Sequence, residues 1–96
     1  MTTPSSPQTP PPPPTDPPAA DATLDARDLR CPLPVLRARK ALNALAPGQV
    51  LAVEASDPAS LEDFRQFCAA GAAMLEAQQA EPEAGVFRHW LRRGPA

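Results

Sequence analysis

Apolar and polar positions change rhythm along this chain, and each rhythm predicts an element. Ala22-Thr23-Leu24-Asp25-Ala26 fits a short first strand, with Asp25 to Arg30 turning the chain toward a first helix. From about Pro32 to Leu45, Val35, Ala38, Leu42 and Leu45 recur at 3-4-3 spacing, the stripe of a helix with one buried face. Ala46-Pro47-Gly48 ends that helix. Gln49 to Ala55 is a continuous apolar run between turn signals, the pattern of a strand buried on both faces or nearly so. Asp57-Pro58 then reads as a cap and first turn, leading to Leu61, Phe64, Phe67 and Cys68 on one helical face up to Gly71.

Beyond Gly71 the local pattern is ambiguous. Ala, Glu, Gln and Met between Ala69 and Glu81 favour more helix on propensity alone. Glu81-Pro82-Glu83-Ala84-Gly85 is a turn, and Val86 to Arg92 reads as a strand. An antiparallel hairpin there requires Met74 to Ala80 as its first arm. Two strand-helix units in succession imply helices packed on one face of a sheet.

Composition removes the first quarter of the chain from that fold. Residues 1–22 hold Pro4, Pro7, Pro10 to Pro14, Pro17 and Pro18, and no aliphatic side chain larger than alanine beyond Met1. Such a stretch buries too little apolar surface to offset its ordering entropy, so it is expected to be a disordered, polyproline-like tail. The folding unit is 23–96, small but sufficient for one two-layer domain. Every Lys and Arg lies within it, balanced by all the acids except Asp16 and Asp21. A near-neutral domain does not advertise nucleic-acid binding. No apolar run has the length of a membrane span, and the N-terminus has no basic and apolar signal regions, so a cytoplasmic protein without direct membrane contact is expected.

Chemistry concentrates at Leu29-Arg30-Cys31-Pro32-Leu33-Pro34. Proline suits a first helical turn, where its missing N–H costs nothing, so Pro32 and Pro34 open the helix and Cys31 falls at or beside its N-cap. A thiol there meets unpaired N–H groups and the positive end of the helix dipole, which favour the reactive thiolate. Arg27 and Arg30, close in sequence, add positive charge, and Arg39 and Lys40 are candidates for thiolate stabilisation or docking. Arg37, Arg39 and Lys40 otherwise read as a solvated helix face. Cys68, beside Phe64 and Phe67, reads as a core residue, and His89 as a packed or rim residue of the last strand. Two cysteines and one histidine make a poor metal set, and no metal or cofactor is expected.

These residues carry a resemblance. Leu24-Asp25-Ala26, Leu29-Arg30-Cys31-Pro32-Leu33-Pro34, Arg39-Lys40-Ala41-Leu42, Pro47-Gly48, Ser56-Asp57-Pro58-Ala59, Asp63, Phe67-Cys68 and Phe87 to Arg93 together resemble the TusA/SirA/YedF family of small sulfur carriers. The resemblance covers the domain and omits the tail. It implies an α/β (α+β) two-layer sandwich, β-α-β-α-β-β, with two helices on one face of a four-stranded mixed sheet, similar to the C-terminal domain of translation initiation factor three. Met74 to Ala80 is then a strand. It also implies that Cys31 accepts sulfane sulfur as a persulfide and relays it. A cysteine desulfurase or rhodanese would be the donor, and a downstream protein of tRNA thiolation, molybdenum cofactor synthesis or sulfur oxidation the acceptor. A monomer is expected. Many members have Gly-His after the second helix, where this chain reads Gly71-Ala72. A regulatory or adaptor module and a thiol redox protein acting through Cys31 are the alternative functions.

Removing 1–22 should leave the domain folded. A large drop in thermal denaturation would place the tail in the folding unit.

Overall fold

The computed structural model describes residues 17–30 and 32–94. Most of the proline tail, up to residue 16, lies outside the described residues; 17–20 form no helix or strand. The folded part begins before the expected boundary at residue 22: Ala22 already pairs with Leu51, and Asp21 gives its N–H to the Val50 carbonyl and accepts the Val50 N–H on its carboxylate, both at 2.8 Å. Six elements make up the fold: β1 (Ala22–Ala26), α1 (Leu33–Asn43), β2 (Val50–Ala55), α2 (Ser60–Ala69), β3 (Ala73–Glu81) and β4 (Val86–Arg93). The sheet order is β1-β2-β4-β3, with β1 parallel to β2 and β4 antiparallel to both β2 and β3. So β1, β2 and β3 run the same way, and α1 and α2 are both crossovers between parallel strands. Both crossovers step in the same direction across the sheet. Because such connections are right-handed almost without exception, they must place their helices on the same face. The expected two-layer sandwich is the result.

Register decides which side chains meet the helices. Ala22, Leu24 and Ala26 pair with Leu51, Val53 and Ala55, which pair in turn with Leu91, His89 and Phe87. These positions form the covered face, where Ala26, Leu51, Val53, Ala55, His89 and Leu91 are fully buried. Ala38 and Leu42 from α1 and Phe64 and Phe67 from α2 close the core. The two phenyl rings meet edge to face, their centroids 6.3 Å apart. Each such large side chain contributes about 1.5–3 kcal/mol by leaving water.

β2 is buried on both faces or nearly so, as expected: Leu51, Val53 and Ala55 lie under the helices, and on the open side Val50 is buried and Ala52 and Glu54 are half-buried. Three details differ from the sequence expectations. α1 is shorter than Pro32 to Leu45. Its end tightens, since Ala44 N–H donates to Ala41 and Leu45 N–H to Leu42, three residues back rather than four. Pro32 is the N-cap residue rather than part of the first turn, and Pro34, inside that turn, is buried. Asp57 lies two residues before the N-cap, Ala59: its carboxylate accepts the Ala59 N–H at 2.9 Å and its carbonyl the Ser60 N–H at 2.9 Å, two links that set the entry to α2.

β3 is a strand over Ala73–Glu81 despite its helix-favouring composition, as the resemblance implied. Its register against β4 shifts between Leu75 and Ala77, so Glu76 forms a bulge on the sheet's outer edge. On the open face Arg88 joins three strands, donating to Glu54 at 2.9 Å and Glu81 at 2.8 Å, and Arg92 pairs with Glu76 at 2.9 Å.

Polar chemistry reaches the covered face at one place. His89 Nε2 lies 3.0 Å from Ser60 Oγ and Nδ1 lies 3.0 Å from Gln78 Nε2. The Gln78 amide nitrogen also donates to the Leu61 carbonyl, and its oxygen accepts from Arg65 Nε at 3.0 Å. With Gln78 donating, Nδ1 must accept, so the neutral ring carries its proton on Nε2 and gives it to Ser60. The imidazole is stacked 4.4 Å from the Phe64 ring. Burial, with a smaller push from the Arg65 charge, lowers its pKa from 6.5 to about 4.

That depression fixes a pH dependence. Above about pH 6.5 both folded and unfolded chains hold a neutral His89, and its full contribution is present. Between pH 6.5 and about 4 only the unfolded chain takes up the proton, so stability falls as pH falls. The loss approaches about 3 kcal/mol across that window. Denaturant titrations of wild type and His89→Gln at pH 7 and pH 4.5 should show a much smaller pH effect in the variant. Equal slopes would remove the imidazole from the explanation.

Candidate functional site

Because β1 and β2 run parallel, the loops that leave them emerge side by side at the same edge of the sheet. Crevices outside the carboxyl ends of parallel strands are where α/β folds place ligands and chemistry. Here Asp28, Leu29 and Arg30 face Ser56, Asp57 and Pro58 across such a crevice. The Asp28 N–H donates to Ser56 Oγ at 2.8 Å and ties the two loops together. Asp28 has φ +68°, so the chain bends sharply there. Leu29 comes next, half-buried against the core, and the Arg30 carbonyl accepts the Leu33 N–H at 2.8 Å as α1 begins.

The residues singled out from the sequence do not all gather at this crevice. Cys31 lies outside the described residues; its neighbours Arg30 and Pro32 are exposed at the crevice and at the head of α1. Arg27 is committed elsewhere. Its guanidinium grips the Asp25 carboxylate at 2.9 Å through both Nε and Nη2, and its N–H adds a third bond. That grip holds the Asp25 carboxyl down at about 2 and raises the Arg27 pKa. Arg39 lies six residues into α1 from Leu33, about 9 Å along the axis. Its guanidinium sits 5.7 Å from the centre of the Phe67 ring, in a groove shared with Leu42, Asn43 and Ala72. Ala72 therefore leaves that groove without the imidazole that the resemblance associates with this position. Lys40 is exposed on the outer face of α1.

That outer face was not anticipated as a feature. Leu33 and Leu36 are 45% and 55% exposed, on the same helical stripe as Arg37 and Lys40. α1 contains no acidic residue, and Arg30, Arg37 and Lys40 form no ion pair among the described residues. Ser56 was also passed over as a site residue, although Ser56-Asp57-Pro58-Ala59 is among the residues that carry the resemblance. It reads as a helix start, and nothing in the local pattern announces a bond across 28 residues.

Cys68 is half-buried on α2 against the core, and burial raises its pKa. Among the described residues no group of three or more His, Cys, Asp or Glu is placed to hold a metal ion. No described helix is long and apolar enough to cross a membrane.

The model of the family described as Sulfurtransferase TusA matches residues 22–93, from the first residue of β1 to the last of β4. The chain belongs to this family. The sulfur carrier protein TusA of Allochromatium vinosum is 45% identical over 73 residues, covering 76% of this chain and 93% of the relative. The putative sulfur carrier protein YrkI of Bacillus subtilis is 35% identical over 75 residues, covering 78% and 97%. Among solved structures, the crystal structure of a SirA-like protein from Desulfitobacterium hafniense superposes with a TM-score of 0.66 at 27% identity. It covers 76% of this chain and 97% of that one. The TusA fold is thus present with all its elements, and Cys31 falls inside the matched region.

A raised pKa makes Cys68 a poor nucleophile at neutral pH. Iodoacetamide at pH 7 should alkylate Cys31 first, and a Cys68→Ser variant should react at the wild-type rate. Peptide mapping of briefly treated protein distinguishes the two sites.

Proposed function

We propose that this protein is a sulfur carrier whose working group is the thiol of Cys31. The observation that carries the reading is the position of that cysteine: within the TusA match, between Arg30 at the crevice and Pro32 at the N-cap of α1. The positive end of the α1 dipole favours a thiolate and, later, a persulfide anion there; of the first-turn N–H groups expected to help, Pro34 has none and that of Leu33 is taken by the Arg30 carbonyl. Arg30, without an ion pair among the described residues, is the nearby cation available to them; Arg27 already serves Asp25.

The transfer is a thiol exchange without net oxidation. The Cys31 thiolate attacks the terminal sulfur of a donor persulfide, a new S–S bond forms, and the donor's S–S bond breaks with its electron pair leaving on the donor's inner sulfur. Cys31 then carries the outer sulfur as a persulfide. A second exchange of the same kind, with an acceptor thiolate attacking the outer sulfur, returns Cys31 to its thiolate. A cysteine desulfurase or a rhodanese supplies the first persulfide in this reading, and a downstream carrier or thiolation protein takes the sulfur on, within the cytoplasm. The exposed stripe of Leu33, Leu36, Arg37 and Lys40 begins two residues after Cys31 in sequence and supports docking of those proteins along α1, by apolar contact flanked by attraction to acidic groups.

Incubation with a cysteine desulfurase and cysteine should add one or more sulfur atoms to wild type by intact-mass spectrometry. Reductant should remove them, and Cys31→Ser should gain none. No gain with several donors, or a gain on Cys68, would overturn the assignment and favour an adaptor in which Cys31→Ser is harmless.

A further inference from the structure

The loop between β1 and α1 holds a conformation that its own sequence does not favour. Asp28 has φ +68°, in the left-handed region, where a side chain crowds the backbone. Aspartate tolerates this better than most residues. On either side of it, Asp25 holds the Arg27 N–H and guanidinium, and the Leu29 N–H reaches the Ala26 carbonyl at 3.4 Å. The bond to Asp28 itself comes from outside the loop, where Ser56 Oγ accepts its N–H at 2.8 Å.

Ser56 is well placed to act as an anchor. It comes directly after Ala55, the last residue of β2, which is paired on one side with Ala26 and on the other with Phe87. Asp57 next to it is bonded into the start of α2. The hydroxyl is thus fixed to the central part of the sheet, whereas Asp28 is on the segment that leads within three residues to Cys31. The bond is exposed and lies outside the core cluster, so what it chiefly fixes is where that segment lies.

We propose that Ser56 is a positioning residue: through the Asp28 N–H it holds the β1–α1 loop in the conformation that presents Cys31 to the donor persulfide. The inference rests on the carrier reading. It separates two tasks that a carrier must combine. Docking belongs to the outer face of α1, and presentation of the sulfur to the loop pinned by Ser56. Loss of the pin should slow transfer within the docked complex without weakening docking.

The test measures desulfurase-driven persulfide formation on Cys31 against carrier concentration, in a Cys68→Ser background. Ser56→Ala should lower kcat by at least about tenfold, in line with the sensitivity of transfer steps to misplaced reacting atoms, while KM stays unchanged. Ser56→Thr keeps the hydroxyl and should restore kcat. Amide exchange by NMR should be slow at Asp28 in wild type and Ser56→Thr and fast in Ser56→Ala. Should Ser56→Ala not fold, Asp28→Val, whose β-branched side chain is at odds with φ +68°, disturbs the same turn from the other side and should show the same fall in kcat. An unchanged kcat in Ser56→Ala, or no rescue by Ser56→Thr, overturns the proposal. If wild type itself gains no sulfur, the carrier reading fails instead. The positioning role is then judged on the pH–rate profile for Cys31 alkylation: a profile altered in Ser56→Ala and restored in Ser56→Thr upholds it, and identical profiles overturn it.

Discussion

The parallel pairing of β1 with β2 is the constraint on which the rest of the molecule depends. Once two neighbouring strands run the same way, the chain must cross back over the sheet between them, and handedness decides on which side. A second crossover in the same direction, from β2 past β4 to β3, doubles the effect. Both helices then lie on one face, both start at one edge, and the loops before them are forced into contact. The crevice between those loops is a consequence of topology before it is a consequence of any particular side chain. Replacing the loops leaves a crevice there; reversing one strand abolishes it.

Covering one face also leaves the other to be solved differently. On the helix side the solution is apolar, with Phe64, Leu51, Leu91 and Val53 fully enclosed. On the open side it is mixed: Trp90 and Val50 are buried there, and Arg88 and Arg92 reach across strands to Glu54, Glu81 and Glu76. Exposed pairs of this kind add little individually. Their geometry matters more than their strength, since Arg88 ties β4 to both of its neighbours. The buried exception, His89, is satisfied at both ring nitrogens by Ser60 of α2 and Gln78 of β3. One imidazole thereby fastens a helix and two strands.

How much of the fold and the site was legible depends on where the information lies. β1, α1, β2, α2 and β4 each bury a face, and their apolar spacing says so without help from the rest of the chain. β3 does not announce itself. Ala73, Leu75 and Gln78 are enough to make it a strand only because β4 offers a ladder and His89 offers Gln78 a partner, both of which are tertiary facts. Family resemblance supplied what periodicity lacked. The site divides in the same way. Cys31 stands out because proline chemistry is local, and Arg30, next to it in sequence, is exposed at the crevice. Arg27 looked equally suitable, but a carboxylate two residues away claims it. Ser56 could be found only by knowing that two loops meet.

The bulge at Glu76 has a bearing on how the molecule meets others. β3 is an outer strand, and an outer strand with a free ladder invites any extended chain, including a second copy of itself, to continue the sheet. A residue that belongs to neither register breaks the spacing of that ladder midway, and the charged Glu76, held back by Arg92, sits at the break. A chain aligned with one half of the strand is out of step with the other. The border that adhesion would otherwise exploit along β3 is thus made to repel it.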